Sequence, residues 1–500
     1  METPMRIHSN ADASPAGPAG VWRWMFWAGF AVSAFLMVAA SRGDLAIDEV
    51  ISLEKAESAG TWVGLVTQNP NDNNHLLNTF FLRLLGRQKH LLVYRLPAVG
   101  FGIATLAALA LTARRWGKTV PVWVVWLAGL SCPMILYSSE ARGYAPAMFF
   151  AVASFEWLQR CRERCTWPGR LLFWALLCLG FLAHFSFGLF CVALGLWSVV
   201  HEKLAGISWP AVAVNVAKYY AVPALFIVGV YLVYIRHMII LGGQEYTRWE
   251  VAGAGAAYAL GLADVPAGHW VGVLAAAVLV GWGILALLRQ ARDEWVFFIV
   301  LLVILPALVL VVHPRFLYFR YFLVAFPFFY LLVAMMFARW FREGGSILKL
   351  VPVLLVVAIT AGHLVKVDAL LRFGRGNYRR ALADMAAATT GPVIRVGSDS
   401  DFRNATLLNF YARFLPPGKK VDYIPQDKRN QDPPDWMIVN CLDPAFPAYP
   451  DLEVGRIGKY NLFGVYPFGG LSGWSWFVYW RPSSAASPAN RPPASKTAGI

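Results

Sequence analysis

Three acidic residues stand directly after a long apolar run, where ionised side chains are costly unless they face water or a charged partner. Asp44, Asp48 and Glu49 lie in the stretch GDLAIDEVISLEKA, which follows FWAGFAVSAFLMVAA. In a continuing helix, Asp44 and Asp48 would share one face, whereas Asp48 and Glu49 would diverge by about a quarter turn. One of the adjacent carboxylates could then act on a reacting group while the other holds backbone or a cation. A hydrated loop start is the alternative interpretation.

The elements that position these residues are predicted to be membrane helices. Of the 500 residues, 58% are hydrophobic and only 15% are charged, and the mean hydropathy is +0.51. Soluble domains carry about 25% charged residues. A membrane span needs about 20 predominantly apolar residues, and about eleven such runs can be drawn. They cover residues 21–40, 91–113, 120–136, 146–158, 171–183, 187–200, 219–234, 271–288, 295–312, 321–337 and 350–365.

Basic residues indicate the orientation of these runs. With eleven spans, the arginine and lysine clusters at 114–118, 160–170, 289–292 and 339–349 lie on the side of the N-terminus. The positive-inside rule makes that side the cytoplasm, so we expect the acidic stretch and the C-terminus outside, in a multi-pass protein of a bacterial inner membrane. The net charge of +15 then reflects topology and attraction to anionic lipid, and nucleic-acid binding is not expected.

The sequence changes character after the last apolar run. Residues 366–481 alternate between two amphipathic segments, NYRRALADMAAATT and FRNATLLNFYARFL, and strand-like segments, PVIRVG, KVDYI, DWMIVN and WSWFVYW. This pattern predicts a small extracytoplasmic α/β domain. It follows a transmembrane domain of residues 21–365, and disorder is predicted for the polar N-terminus, residues 1–20, and for the Pro/Ser/Ala-rich tail, residues 482–500.

Four motifs occur in an order that resembles the GT-C class of membrane glycosyltransferases. The branch concerned contains the protein O-mannosyltransferases, the lipid A aminoarabinose transferase and the bacterial family-39-like enzymes that use polyprenyl-phosphate sugars. Its acidic pair after the first span is matched by Asp48-Glu49. The other matches are His75, Leu77, Arg83, Gly86 and Arg95-Leu96-Pro97 in the second motif; Ser138, Glu140, Ala141, Arg142 and Tyr144 in the third; and Arg320-Tyr321 in the fourth.

The resemblance implies a GT-C-like fold and an inverting transfer of a hexose or pentose from polyprenyl phosphate to a glycan, lipid or protein acceptor outside the cytoplasm. It makes Asp48, with Glu49 beside it, the catalytic site, because a carboxylate can take the proton of the attacking acceptor hydroxyl. No covalent enzyme intermediate is needed. No metal site is predicted, although two adjacent carboxylates leave a divalent cation open as a weak alternative.

The resemblance also suggests residues for the donor. Arg142 and Arg320 are the first candidates for the lipid phosphate, followed by Arg83 and Arg95, because the planar guanidinium suits phosphate oxygens. His75 and Tyr321 are further donor contacts. Anchoring at the membrane interface is the alternative for each arginine. Glu140 either orients Arg142 or caps the next helix. His184, in LAHFSFG, is expected in a helix break as a satisfied polar group.

Two other classes of membrane protein compete with the enzyme. A transporter or flippase of lipid-linked sugars would carry acidic residues or broken helices near the middle of the membrane. The centres of the eleven runs contain no Asp or Glu, and Glu156 lies near a cytoplasmic end. A purely structural subunit would not explain the carboxylates and arginines that gather on one side. The enzyme is therefore the favoured interpretation.

Overall fold

The computed structural model describes residues 19–482, apart from residues 69, 164, 241, 346, 443–445, 456 and 472. Disorder is predicted from the sequence for residues 1–20 and 482–500, and all but three of these residues lie outside the described residues. The helices follow along the chain as α1 (Ala19–Ala40), α2 (Ile47–Ser58), α3 (Gly64–Thr67), α4 (Leu76–Leu85), α5 (Leu92–Ala113), α6 (Val120–Gly129), α7 (Cys132–Tyr137), α8 (Tyr144–Glu163), α9 (Trp167–Ala183), α10 (Phe187–Leu204), α11 (Trp209–Val233), α12 (Arg248–Leu260), α13 (Gly268–Arg289), α14 (Trp295–Ile299), α15 (Leu305–Val312), α16 (Phe326–Glu343), α17 (Leu350–Phe373), α18 (Tyr378–Ala388) and α19 (Asp401–Ala412).

Each of the eleven apolar runs falls on helical structure. Within the described chain, eight segments are long and apolar enough to cross a membrane: Gly20–Ala40, Leu92–Trp116, Phe187–Leu204, Trp209–His237, Gly268–Arg289, Trp295–Val312, Phe319–Glu343 and Leu350–Ala388. The predicted runs 120–136, 146–158 and 171–183 fall instead on helices that are shorter or more polar, namely α6 with α7, α8 and α9. The number of crossings, and with it the side of the C-terminus, therefore stays a prediction.

The third predicted run is not one continuous helix. Ser131 is extended, with ψ 126°, and separates α6 from α7, which has a proline in its first turn. The Tyr330 hydroxyl donates to the carbonyl of Ala259 at 3.0 Å, so the hydroxyl of Ser131, 2.7 Å away, is the donor to Tyr330. These bonds satisfy polar groups at the break, as an apolar surrounding requires.

The chain divides into two compact units that do not follow sequence order. The described residues of the first unit are 19–38, 70–78 and 97–365, and those of the second are 39–68, 79–96 and 366–482. The predicted boundary at residue 366 is the start of the last segment of the second unit. The sequence predicts residues 39–68 and 79–96 within the 21–365 domain. In the structure these residues belong with the last segment, to which the polar loop after α1 is hydrogen-bonded.

The second unit contains a mixed six-stranded sheet. Its strands are β1 (Val393–Ser398), β2 (Lys420–Tyr423), β3 (Trp436–Cys441), β4 (Asp451–Val454), β5 (Gly458–Tyr466) and β6 (Ser475–Trp480). The order is β2-β1-β3-β6-β5-β4. β2, β1 and β3 are parallel, and the remaining neighbours are antiparallel. A core of Met437, Tyr460, Phe477 and Tyr479 lies on the sheet. The four predicted strands and both predicted helices are confirmed, whereas β4 and β5 were not predicted.

Candidate active site

Residues 40–49, which we call the acidic loop, belong to the second unit and end in the first turn of α2. Ala46 is extended, with φ −69° and ψ 161°, and precedes the first helical residue, Ile47. Asp44 therefore lies before the helix, so the sharing of one helical face by Asp44 and Asp48 does not occur. Glu49 is the third helical residue, and its Oε2 accepts from the backbone N–H of Ala46 at 2.8 Å. This bond satisfies one of the otherwise unpaired donors at a helix start.

Glu49 is also held by Arg95 in a bidentate ion pair. The Arg95 Nε donates to Glu49 Oε1 at 2.8 Å, and its Nη2 donates to Oε2 at 2.6 Å. Glu49 is 1% exposed and Arg95 is fully buried. Charge-assisted bonds of this geometry are among the stronger polar contacts in proteins. Glu49 is thus the member of the acidic pair that holds backbone and a cation.

The other donors of Arg95 hold the loop that follows α1. Its Nη2 donates to the carbonyl of Asp44 at 2.7 Å, and its Nη1 donates to that of Ser41 at 3.0 Å. Longer contacts of 3.3 Å reach the carbonyls of Arg42 and Gly43. A guanidinium has five N–H groups, and these contacts engage all of them. In this arrangement Arg95 has no N–H group left for the predicted phosphate contact.

Arg83 holds the opposite end of α2. Its Nη1 donates to the carbonyls of Ala56, at 3.2 Å, and Ala59, and its Nη2 donates to that of Gly60 at 3.1 Å. The guanidinium also lies 5.1 Å from the centre of the Trp62 ring. A cation at these carbonyls is favourable because the C-terminal end of a helix carries partial negative charge. These contacts tie Arg83 to the C-terminal end of α2, and its phosphate contact stays a prediction.

The three carboxylates of the loop consequently differ in their surroundings. Asp44 is buried, and its carboxylate accepts from the backbone N–H of Arg379 at 2.8 Å and from the Arg379 Nε at 2.5 Å. Glu49 is buried against Arg95. Asp48 is partly exposed, on a turn of helix whose backbone is tied by the Ser52 hydroxyl, 2.8 Å from the Asp48 carbonyl.

In the first unit, His75 and Arg142 come together. The Arg142 Nη1 donates to the carbonyl of Asn73 at 2.8 Å, and its Nη2 lies 3.2 Å from His75 Nε2. The backbone N–H of Gly143 donates to His75 Nδ1 at 2.7 Å. A neutral imidazole that accepts at Nδ1 carries its proton on Nε2. Because the Arg142 guanidinium can only donate, its Nη2–H group and the Gly143 N–H compete for the single ring acceptor of neutral His75. The guanidinium is a cationic donor that suits an anionic acceptor.

His184 completes this cluster and was not among the predicted site residues. Its ring centre is 4.6 Å from that of His75 and 4.7 Å from that of Tyr144. It lies between α9 and α10, where its Nδ1 is 2.8 Å from the Ser186 hydroxyl, so the predicted helix break and satisfied polar group are confirmed. The sequence signal for its role was the polar interruption LAHFSFG between two apolar runs.

Burial and positive charge keep both histidines neutral. The pKa of His75 lies well below its usual value, first because of burial and then because of the positive charges of Arg142 and Arg320. The same causes, burial followed by Arg142 and Arg320, lower the pKa of His184 to about 3. Both side chains are therefore neutral at physiological pH.

Arg320 and Tyr321 extend the cluster through aromatic rings. The Tyr321 ring centre is 6.1 Å from His184 and 5.6 Å from Tyr318. The Arg320 guanidinium lies 4.7 Å from the centre of the Tyr318 ring. The structure thus brings together the predicted residues His75, Arg142, Arg320 and Tyr321 in the first unit. Asp48, Glu49, Arg83 and Arg95 belong to the second unit.

The turn that carries Glu140 and Arg142 is tightly packed. Glu140 is 2% exposed and Arg142 is 3% exposed. The Asn78 side-chain amide donates to the carbonyl of Ala141 at 2.7 Å. A Cβ atom at Gly143 would lie 1.8 Å from the carbonyl oxygen of Ala183, so only glycine fits there. The residue types of the EARGY stretch therefore follow from close packing as well as from chemistry.

The metal-binding potential of the described residues is limited. They contain no group of three or more His, Cys, Asp or Glu side chains arranged to hold a metal ion. The adjacent carboxylates Asp48 and Glu49 are the pair for which the sequence left a cation open. The Arg95 guanidinium already neutralises Glu49, which makes the pair a poorer site than two unpaired carboxylates.

Comparison with known proteins identifies the fold. The chain is similar to the crystal structure of ArnT from Cupriavidus metallidurans in the apo state, with a TM-score of 0.54, 14% sequence identity, and 94% of this chain and 99% of that chain covered. The crystal structure of the same protein bound to undecaprenyl phosphate aligns with a TM-score of 0.44 at 14% identity, covering 94% and 100% of the two chains. No protein-family model and no curated protein sequence matches. The chain is an integral membrane protein with the polytopic fold of ArnT, mainly helical and with a small C-terminal sheet.

Proposed function

We propose that the protein is an inverting glycosyltransferase that moves a sugar from a polyprenyl-phosphate donor to an acceptor at the extracytoplasmic face of the bacterial inner membrane. The order of the sequence motifs and the ArnT-like fold support this class of reaction. The acceptor is a glycan, a lipid or a protein, and the sugar is a hexose or a pentose. The acidic loop and the C-terminal sheet lie outside the cytoplasm in this proposal.

The observation that carries the proposal is the difference among the three carboxylates of the loop. Asp44 and Glu49 are buried against arginines, whereas Asp48 is partly exposed on the first turn of α2. A carboxylate on a rigid element, next to residues whose own side chains are fixed, meets the requirement for a positioned base. Asp48 is therefore the catalytic residue, and Glu49 acts through its hold on the start of α2.

The reaction is a single displacement. Asp48 accepts the proton of the acceptor hydroxyl as the acceptor oxygen bonds to the anomeric carbon. The bond from that carbon to the phosphate oxygen breaks, and polyprenyl phosphate leaves with the bonding electron pair. Attack opposite the leaving group inverts the anomeric configuration. Negative charge grows on the departing phosphate, and we assign its stabilisation to Arg142 and Arg320, with His75 holding the Arg142 guanidinium beside it.

Transfer by the purified protein in nanodiscs tests the proposal. We expect product with at least one member of a panel of polyprenyl-phosphate pentoses and hexoses, and none with nucleotide sugars. Asp48→Asn should lower turnover by about 10²- to 10⁴-fold, the usual contribution of a general base. Glu54→Gln, an exposed carboxylate on the same helix, is the matched control and should retain turnover.

Two outcomes would contradict the assignment. Activity with nucleotide sugars alone would remove the lipid-linked donor, and full activity of Asp48→Asn would remove the base. The same panel in sealed vesicles separates the enzyme from a flippase, because a flippase would move the lipid-linked sugar between leaflets without forming a new glycosidic bond.

A further inference from the structure

The acidic loop is bonded to the last segment of the chain at three places. The Arg375 Nη1 donates to the carbonyl of Ala40 at 2.8 Å. The Arg379 backbone N–H and Nε both donate to the Asp44 carboxylate. The Tyr411 hydroxyl donates to the carbonyl of Leu45 at 2.9 Å. All of these residues belong to the second unit, so the segment 366–482 and the loop form one compact body.

Two of these contacts, those of Arg375 and Tyr411, are buried, whereas the Arg379 side chain is 43% exposed and only its Asp44 partner is buried. Arg375 is fully buried, and Tyr411 is 1% exposed. Burial and the nearby Asp44 carboxylate hold the pKa of Tyr411 well above its usual value, so its hydroxyl remains protonated and able to donate. In surroundings of low dielectric constant, such bonds are stronger than at a surface.

The backbone of Arg375, whose side chain donates to the Ala40 carbonyl, is itself held by neighbouring residues. The Tyr378 hydroxyl donates to the Arg375 carbonyl at 3.1 Å. A Cβ atom at Gly473 would lie 2.2 Å from that same carbonyl oxygen. The turn between α17 and α18 therefore packs tightly against Gly473, just before β6. This packing fixes the backbone from which the Arg375 side chain reaches the acidic loop.

Arg95 holds the same loop, so the loop is tied from two parts of the chain. It donates to the carbonyls of Ser41 and Asp44 and to Glu49. The contacts of Arg375, Arg379 and Tyr411 alternate along the loop with those of Arg95. Residues 40–49 are consequently bonded at short intervals up to the first turn of α2, which carries Asp48.

We propose that Arg375, Arg379 and Tyr411 are positioning residues for Asp48, which makes the C-terminal segment a working part of the catalytic apparatus. They act through the backbone of residues 40–45 and through Asp44. This inference rests on the function proposed above. A reacting group displaced by about 1 Å can lose about 10²-fold in rate, so loosening the loop should lower turnover more than it weakens donor binding.

The experiment combines kinetics with amide hydrogen exchange on the full-length protein in nanodiscs. Arg379→Ala should lower kcat by about 10- to 100-fold with less than about a threefold change in the donor KM, and it should speed exchange in residues 41–49. Arg379→Lys should restore part of kcat. On an Asp48→Asn background, Arg379→Ala should cause no further loss, because residues that act as a unit are not additive.

The neighbouring arginine provides the matched control. Arg380 is exposed, and its contact with Asp384 is long, at 3.9 Å, so Arg380→Ala should change neither kcat nor exchange in the loop. Tyr411→Phe removes one hydroxyl from the loop and should give a smaller effect in the direction of Arg379→Ala. If Arg379→Ala does not fold, Arg379→Lys and Tyr411→Phe carry the test.

The outcomes separate the two proposals. If the wild-type protein transfers no sugar from any donor, the proposed function fails, and loop exchange in the variants still decides whether Arg379 and Tyr411 position residues 41–49. Unchanged exchange in both variants would overturn the positioning role. A higher donor KM with unchanged kcat in these variants would also overturn the positioning role, because that pattern marks a direct donor contact.

Discussion

In the second unit the carboxylates Asp44 and Glu49 are each matched to an arginine, whereas the first unit gathers Arg142, Arg320 and two histidines into one cluster. The pairing of Glu49 with Arg95 uses the full hydrogen-bonding capacity of the guanidinium. In the cluster, burial and, after it, the arginine charges lower the pKa of both histidines. Saturated pairs favour a fixed geometry, and crowded positive charge favours an anionic ligand.

This difference separates residues that a motif alone treats alike. Arg83, Arg95, Arg142 and Arg320 all occupy motif positions, and the sequence offers each to the lipid phosphate. Their contacts differ, because Arg83 and Arg95 are committed to backbone carbonyls and Glu49. We therefore expect loss of Arg95 to appear in stability and loss of Arg142 or Arg320 to appear in binding and turnover.

The largest expected effect comes from breaking the buried pair. Arg95→Ala leaves the Glu49 carboxylate buried without its cation and should lower the free energy of unfolding by about 3–5 kcal/mol. Thermal unfolding in nanodiscs measures the loss. Arg87→Ala is the control, since Arg87 pairs with Glu57 at the surface, is 81% exposed, and should cost less than about 1 kcal/mol. A wild-type melting temperature in Arg95→Ala would contradict the structural role.

Loss of an arginine from the proposed donor site should change binding and turnover, and not stability. Arg320→Ala should weaken binding of a polyprenyl-phosphate sugar by about 2–5 kcal/mol, the scale for removing one partner of a desolvated charge pair. Arg142→Ala should fall mainly on turnover, if it meets the charge that grows on the leaving phosphate. Equilibrium binding and initial rates distinguish the two effects. Unchanged donor affinity and turnover in both variants would remove these arginines from the donor site.

The buried histidines predict a dependence of stability on pH. The pKa of His184 is about 3 in the folded protein and about 6.5 when unfolded, so the unfolded chain binds the extra proton between these values. Stability should be fully present above about pH 6.5 and fall by up to about 1.4 kcal/mol per pH unit below it. His184→Gln should reduce the slope between pH 6.5 and 5, whereas the exposed His90→Gln should not. Equal slopes in all three proteins would contradict the neutral state of His184.

Much of the fold could be predicted because hydropathy and alternation are local properties. Each apolar run lies on helical structure, and β1, β2, β3 and β6 were visible as strand-like segments. β4 has only four residues, two of them exposed, and β5 starts at a glycine with φ +108°. Such strands are defined by pairing with a neighbour, which a single sequence does not display.

The motifs indicated candidate site residues, but they did not indicate how the side chains of those residues are paired. The motifs identified the acidic pair and His75, Arg142, Arg320 and Tyr321, whereas the partner of Glu49 lies 46 residues away along the chain. Which carboxylate is buried depends on where α2 begins, and that is set by the extended Ala46 and its bond to Glu49. His184 enters the cluster by packing of separate helices, so the interruption LAHFSFG indicates a polar break in the helix but not the partners of the ring.

The smallest expected effect is that of metal removal, and it tests the pairing of Glu49 from another direction. A divalent cation at Asp48 and Glu49 would have to displace the Arg95 guanidinium, which is bonded to both Glu49 oxygens, or bind a single partly exposed carboxylate, which is a weak site. Transfer by protein treated with EDTA and assayed without added metal should therefore equal that of untreated protein within about twofold. Arg95→Met, which frees the Glu49 carboxylate, provides the comparison, because any metal dependence should appear there first. A loss of activity on chelation that Mg²⁺ or Mn²⁺ restores in the wild-type protein would show that the buried ion pair opens during turnover, and that Glu49 serves the reaction as a ligand instead of holding the start of α2.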